Sequence, residues 1–472
     1  MKRTPNKADT QRLTTMTVLR HADPLLDPLF TSEAAADAFS PTARLQGMLE
    51  FEAALARAEA AVGVIPAHAV PAIEAACKAH LYDLDALGAE AALAGNTAIP
   101  MVRHLTRAVK AADEESSRYV HWGTTSQDAM DSGLMLQLRR FLDGLDADLA
   151  DLADGLADFA GRHRATPMVA RTWLQHALPT TFGLKAAGWL DALDRDRQRI
   201  AAARDRLALQ FGGAAGTLAA LGDAGPAVAE ALAKELDLPL PALPWHASRD
   251  RITELASTLG ILAGTLGTLG RDISLMMQME VAEAFEPTGP GRGGSSTMPH
   301  KRNPVSCAVL LSTAIRAPAL VGGLLAAQVQ EHERGLGGWH AEWQALPDLC
   351  RLVAGAARHA RETVAGLTVD AERMRANLDL TRGLILAEAV TMALGDRMGR
   401  MAAHSRVADA SRLASSTGRP LRDVLAEDAE VVQALGMDGL DRLFDPLRYT
   451  GAASHFIDRV LALHRQQQRQ QN

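Results

Sequence analysis

The chain has 472 residues, a net charge of −7, 47% hydrophobic residues and 22% charged residues. That balance suits a soluble globular protein of about three domains, and it lacks the excess of Lys and Arg that a nucleic-acid partner requires. Aromatic residues make up only 4%, and the Ala- and Leu-rich remainder favours helix over strand.

Residues 1–20 begin with Lys2, Arg3, Lys7 and Arg12 and contain no apolar segment of the kind a secretory signal needs. They read as a loose tail or a misassigned start. Arg44 to Val62 has the spacing of an amphipathic helix, which Gly63 to Pro66 stops. Leu138, Leu142, Leu145, Leu149, Leu152, Leu156 and Phe159 recur at steps of four and three, which places them on one face of a long helix. Three prolines between Pro239 and Pro244 mark a loop. Ile252, Leu255, Leu259, Leu262, Leu266, Leu269, Ile273 and Met276 then form a second long seam. Long rods with apolar seams imply a helix bundle.

Gly260, Gly264, Gly267 and Gly270 lie on the second rod. Each costs helix propensity, roughly 1 kcal/mol against Ala, so they are expected where neighbouring helices approach closely. Leu255 to Gly270 is the nearest approach to a membrane span, but Thr, Ser and Gly interrupt it. Phe285 to Pro304 has no helical period and separates two helical segments. A structureless stretch of about 20 residues inside a domain is usually functional or disordered. Composition shifts again near Gly366 to Asp370, where a smaller C-terminal helical domain begins. The expected division is 21–119, 120–367 and 368–472. Cys77, Cys307 and Cys350 fit neither a disulfide framework nor a zinc site, and point to a reducing cytoplasm.

The long loop reads Gly-Arg-Gly-Gly-Ser-Ser-Thr-Met-Pro-His-Lys-Arg-Asn-Pro over residues 291–304. Its glycines expose backbone N–H groups, a geometry that suits anions. Ser295 and Ser296 supply hydroxyls, and Lys301 and Asn303 supply a charge and an amide for a carboxylate. The phosphate-loop pattern Gly-x-x-x-x-Gly-Lys-Ser/Thr is absent. An ordinary flexible surface loop is the plain alternative.

Residues 294–304 of this loop resemble the signature of the fumarase/aspartase superfamily. Two further stretches are similar to that superfamily: His121-Trp-Gly-Thr-Thr-Ser-Gln-Asp128, its carboxylate-binding segment, and Arg171-Thr-Trp-Leu-Gln-His-Ala-Leu-Pro-Thr-Thr-Phe-Gly183. The resemblance runs from about residue 25 to about residue 460. It implies an all-α fold of three helical domains with a central long five-helix bundle. It also implies a homotetramer whose active sites are shared between subunits, a small tricarboxylate substrate, and no cofactor or metal.

Departures from the superfamily pattern select a branch. Adenylosuccinate lyases, the runner-up, carry Arg-Thr-His where this chain has Trp173, and that His is a catalytic acid. Their Thr-Arg-His-Asp segment corresponds here to Gly95–Met101, which has no His. Trp339-His340 and Glu342-Trp343 stand where those lyases hold a nucleotide. Expelling an amine or hydroxide needs a proton; a carboxylate, with an ordinary pKa of about 4, leaves without one. The resemblance therefore implies the branch that cyclises 3-carboxy-cis,cis-muconate to 4-carboxymuconolactone, a step of protocatechuate breakdown in the β-ketoadipate pathway. A non-catalytic protein that inherited the fold is the other alternative, against which the intact loop speaks.

On this reading Thr124, Thr125, Ser126 and Gln127 contact substrate, with Lys301, Asn303 and Met298 from the loop. Ser295 exchanges the carbon-bound proton, with Ser296 as its neighbouring alternative. Trp173 serves packing and pocket shape. Gln175 and His176 are either substrate contacts or packed polar residues. Arg334 either grips a carboxylate or serves as an ion-pair partner, and His121 reads as structural. Trp339 and Trp343 read as space-filling or as pocket wall. His332 and Glu333 lack the compact set of neighbours a metal site needs.

Overall fold

A serine cap sets the start of the first long helix, α1 (Pro41–Val62). Ser40 Oγ accepts from Ala43 N at 3.1 Å, Pro41 stands just inside the helix, and Gly63 ends it at φ +83°. Those are favoured N- and C-terminal chemistries for a helix. The computed structural model describes residues 23–289, 291–294, 297–298 and 301–471, the side chains of 470 and 471 excepted. The reading of residues 1–20 as a loose tail lies outside the described residues.

Five further long helices follow: α2 (Ser126–Arg162), α3 (Phe182–Asp205), α4 (Asp250–Met276), α5 (Val305–Ala327) and α6 (Gly338–Ala365). The 37 residues of α2 make a rod of roughly 55 Å at about 1.5 Å per residue. Every residue of the two apolar seams read from the sequence is buried. The chain divides into two compact units. One takes residues up to Leu149, Asp196–Gly267 and Val309–His359; the other takes Ala150–Arg195, Thr268–Ala308 and Ala360 onward. Each of α2 to α6 contributes residues to both.

Within the first unit, helices approach closely where glycine permits it. A Cβ on Gly47 would lie 2.7 Å from the Gly133 carbonyl oxygen, so α1 and α2 meet at a pair of facing glycines. On α4, a Cβ on Gly260 would sit 2.9 Å from Val321 Cγ2, and one on Gly267 2.5 Å from Ala314 Cβ, both residues of α5. Gly264 faces open space, so the expectation of close approach holds for it neither by contact nor by burial.

Glu52 and Glu59 lie two turns apart on α1 and both are buried. Neither oxygen of Glu59 has a hydrogen-bond partner among the described residues. Burial, with repulsion from Glu52, pushes its pKa up to about 9. A carboxyl whose folded pKa is raised contributes stability that is complete below its unfolded pKa and lost as pH climbs toward the folded value. Glu59→Gln removes that titration and is expected to stabilise the protein by on the order of 2 kcal/mol at pH 8.5, and by little at pH 5. Thermal unfolding at the two pH values checks this, and an equal shift at both would contradict it.

In the second unit, β1 (Pro167–Thr172) and β2 (Gln175–Thr181) form an antiparallel hairpin, with Arg171 paired to His176 and Thr172 to Gln175. Val169 packs with Leu378, Ile385 and Leu386 from the C-terminal part of the same unit. A shorter pair, β3 (Ala284–Phe285) and β4 (Thr368–Val369), holds the chain just before the signature loop. The composition favours helix over strand, and these short strands do not change the all-α class. The C-terminal helices close on their own core of Val390, Leu394, Val407, Leu421, Leu425 and Leu440.

Candidate active site

The segment His121 to Asp128 is built around Asp128, which is fully buried near the start of α2. Its carboxylate accepts from Thr124 Oγ1 at 3.0 Å and Thr125 N at 3.1 Å. It also accepts from Gly212 N and Gly213 N at 3.0 and 2.9 Å, and lies 2.7 Å from His246 Nε2. A Thr followed three residues later by an acid reproduces a capping box, in which the acid ties the turn to the helix start. The arrangement leaves residues 124–126 at the positive end of a long helix, where an anion is favoured. Thr124 spends its hydroxyl proton on Asp128, so of the three hydroxyls expected to hold a carboxylate, those of Thr125 and Ser126 are the available donors.

Just upstream, Gly123 has φ +66°, and a Cβ there would sit 2.5 Å from Leu221 Cδ2. His121, also at positive φ, lies with Nδ1 2.6 Å from Glu52 Oε1. Burial opposes its charge, but the Glu52 carboxylate outweighs burial and raises its pKa.

Gln127 was expected to touch substrate. It is 1% exposed, and both ends of its amide are engaged inside the protein. Nε2 donates to Asp131 Oδ2 at 3.1 Å and to the His246 carbonyl at 3.0 Å, while Oε1 accepts from Arg334 Nε at 2.8 Å. Packing against Asp131 and His246 removes it from solvent, so the expectation of direct contact with a ligand is not met within one chain. Arg334 keeps one buried nitrogen, Nη2, with no partner among the described residues.

The hairpin carries the second segment. Trp173 and Leu174 form its two-residue turn with φ +52° and +64°, the left-handed pairing that two-residue hairpins require. Glycine or asparagine usually fills those places, and bulky residues hold that conformation at a cost of about 1–2 kcal/mol each. Trp173 is 97% exposed. The expectation that it packs against an apolar wall is therefore not met within one chain, because the turn lifts it off the protein surface. Gln175 is exposed and His176 half-buried. His176 Nδ1 is buried without a partner among the described residues. Burial and the charge of Arg171 hold its pKa below the ordinary histidine value. Arg171 anchors the strand through a bidentate pair with fully buried Glu283 at 2.8 and 2.7 Å, and Asn377 Nδ2 donates to the same carboxylate at 2.8 Å.

Ser295 and Ser296 lie outside the described residues. The frame of their loop is described. Asn303 N donates to the Gly293 carbonyl at 3.0 Å and its Nδ2 to the Gly294 carbonyl at 3.3 Å. Asn303 therefore closes the loop's neck, and the side-chain amide expected to hold substrate is partly committed to that task. Gly293 has φ +68°, and a Cβ there would come within 3.1 Å of the Asn303 carbonyl oxygen. Arg302 stacks 4.5 Å from the Phe285 ring centre and donates to the Glu286 carbonyl at 3.1 Å. Buried Glu286 accepts from Ser306 N and Cys307 N at 3.1 and 2.7 Å, capping α5 where the loop ends. Lys301 and Met298 are exposed.

The structure thus brings Thr124, Thr125, Ser126, Gln127 and Arg334 together in the first unit. It places Trp173, Gln175, His176, Met298, Lys301 and Asn303 in the second. Sequence reasoning missed Glu283, Glu286, Asp131 and Arg249. Asp128 carried a legible signal in its Thr-x-x-Asp spacing, whereas the other four have partners far away in sequence. No group of three His, Cys, Asp or Glu side chains among the described residues is arranged to hold a metal ion.

The lyase family model matches residues 30–319, and that of the adenylosuccinate lyase C-terminus matches residues 383–460. The chain is 60% identical over 444 residues to a 3-carboxy-cis,cis-muconate cycloisomerase of Pseudomonas aeruginosa, covering 94% of this chain and 97% of that protein. It is 57% identical over 439 residues to the enzyme of the same name in Bradyrhizobium diazoefficiens, covering 93% and 97%. The solved 3-carboxy-cis,cis-muconate lactonizing enzyme from Pseudomonas putida is similar with a TM-score of 0.90 at 53% identity, covering 94% of this chain and 99% of that one.

Proposed function

The chain belongs to the fumarase/aspartase lyase superfamily and, within it, to the 3-carboxy-cis,cis-muconate cycloisomerases, and on that footing we propose how its residues carry the reaction. The enzyme interconverts 3-carboxy-cis,cis-muconate and 4-carboxymuconolactone, a step in protocatechuate degradation by the β-ketoadipate pathway. We place it in the cytoplasm. We also propose three parts along the sequence, 21–119, 120–367 and 368–472, the middle one holding the long helices.

In the forward direction one substrate carboxylate oxygen adds to the conjugated alkene and closes the ring. The displaced electron pair passes to a neighbouring carboxylate, which becomes an aci-carboxylate. Charge that builds up there is stabilised by donors already in position. Lys301 and Arg334 supply cations, and Thr125 and Ser126 supply hydroxyls at the positive end of α2. A proton from Ser295 then completes the C–H bond, and the serine recovers its proton from water. No leaving group needs protonation in either direction. The observation that carries this reading is the second segment. It presents Trp173 at the place of the lyases' histidine acid, and its one histidine, His176, is biased toward the neutral form.

Trp173→Phe is accordingly expected to retain kcat within about tenfold, or about 1.4 kcal/mol of barrier. His176→Gln is expected to remain active, because an amide can replace a polar contact but not an acid. A dead His176→Gln enzyme with intact fold and assembly would transfer the acid role to His176.

The superfamily resemblance implies a homotetramer, and we propose that assembly here with active sites shared between subunits. α5 supports it. Only 28% of its most apolar stretch is buried in one chain, against 61% for α4. Ala308, Ile315, Ala319, Gly322 and Leu325 are exposed at helical spacing along it. An apolar stripe of that length marks a protein–protein surface. The bared Trp173 and Leu174 at the hairpin tip supply a second reason for a covering subunit.

A further inference from the structure

Asp131 lies one turn beyond Gln127 on α2 and is 2% exposed. Five donors reach its carboxylate. Oδ2 accepts from Arg249 Nη1 at 2.7 Å, Gln127 Nε2 at 3.1 Å and Gln210 Nε2 at 3.3 Å. Oδ1 accepts from Trp339 Nε1 at 3.0 Å and Arg249 Nη2 at 3.2 Å. Arg249 is itself fully buried, and its Nε donates to Glu342 Oε1 at 3.0 Å. A buried charge set of this kind seldom stabilises a protein beyond what apolar packing would. What it does supply is fixed direction.

The direction passes through Gln127. A side-chain amide has a donating end and an accepting end. Two groups that only accept, the Asp131 carboxylate and the His246 carbonyl, hold the Nε2 end. The Oε1 end is therefore turned toward Arg334, a group that only donates, and meets its Nε at 2.8 Å. Gln210 repeats the device beside it, giving Nε2 to Asp131 and taking Trp245 N on Oε1 at 2.9 Å. That bond fixes the direction of the Arg334 Nε–H group. One nitrogen, Nη2, remains buried and unpartnered among the described residues. A buried guanidinium donor without a partner is costly unless a ligand completes it.

We propose that Asp131 and Gln127 form a buried positioning device that aims Arg334 at a carboxylate of the substrate. Gln127 is a positioning residue and touches no ligand. The inference rests on the cycloisomerase reading for the identity of the carboxylate, and on geometry alone for the device.

The test uses full-length assembled enzyme and the variants Gln127→Leu, Arg334→Lys and the pair together, assayed on 3-carboxy-cis,cis-muconate. Gln127→Leu is expected to lower kcat/KM about tenfold, the scale of one charge-assisted hydrogen bond, chiefly through KM. Arg334→Lys is expected to lower it further, and the double variant to match Arg334→Lys alone. Multiplying effects in the double variant would overturn the proposal, as would an unchanged kcat/KM in Gln127→Leu. Gln127→Met, closer in length, serves if the leucine variant does not fold. A crystal structure of the Gln127 variant reads the device without substrate: the Arg334 guanidinium should leave its present position, and an unmoved guanidinium overturns the proposal. A displaced Arg334 in an enzyme whose wild type ignores carboxymuconate would uphold the device and remove the reaction reading.

Discussion

Ser295→Ala is expected to lower kcat by about a hundredfold or more, the scale for losing a positioned acid or base. The cyclisation breaks no bond to a poor leaving group, so the demanding step is delivery of a proton to carbon. Ser295 sits between Gly294 and Ser296 in a loop whose frame is fixed on both sides. Asn303 ties the neck to Gly293 and Gly294, and Glu286 caps the helix that follows. None of these frame contacts uses Ser295, so the variant is expected to fold and assemble normally. Ser296→Ala should have the smaller effect. The checks are steady-state kinetics on both variants, with circular dichroism and light scattering alongside. Near-normal turnover in Ser295→Ala would move the role to Ser296.

Ile315→Asp is expected to dissociate the assembly and to lower activity at least as far. Ile315 is 76% exposed in one chain and sits midway along the apolar stripe of α5. A carboxylate there must be buried when chains associate, at a cost of several kcal/mol in each copy. An isolated chain keeps its own helices, since Ile315 packs against little within it. The expected result is a species of about 50 kDa, the mass of one chain, with helical content preserved and activity lost. On the proposed sharing of each site between subunits, activity is lost together with the assembly. A variant of that mass with full activity would end the shared-site account.

Much of this architecture is legible from spacing alone. The leucines from Leu138 to Leu156 and from Leu255 to Leu269 are all buried, because steps of three and four residues dictate one face of a helix. The stop at Gly63 follows from glycine's access to positive φ. Other features have no local signal. Trp173 and Leu174 occupy a left-handed turn that neither residue favours, and only the pairing of Arg171 with His176 and Thr172 with Gln175 imposes it. Of the helix glycines, Gly260 and Gly267 face α5 while Gly264 faces open space. Which one faces a neighbour depends on the rotation of the helix, and the residue type does not carry that information.

The candidate site divides in the same way. Thr124 to Asp128 is visible as a segment, and the Thr-x-x-Asp spacing gives the role of its last residue. Gln127 looks like a ligand contact in sequence because polar residues in such segments usually face outward. Its inward turn depends on Asp131 and on Arg249, 118 residues further along. Contacts of that kind arise only when the chain folds, and the sequence has no period that announces them.

The most direct test of the reaction is to mix purified enzyme with 3-carboxy-cis,cis-muconate in the presence of a chelator. Ultraviolet absorbance follows loss of the conjugated diene, and proton NMR identifies the product. The expected result is conversion to 4-carboxymuconolactone with no added cofactor. The opposite result, an enzyme that leaves carboxymuconate unchanged yet eliminates fumarate from adenylosuccinate, would contradict the account and restore the lyase reading.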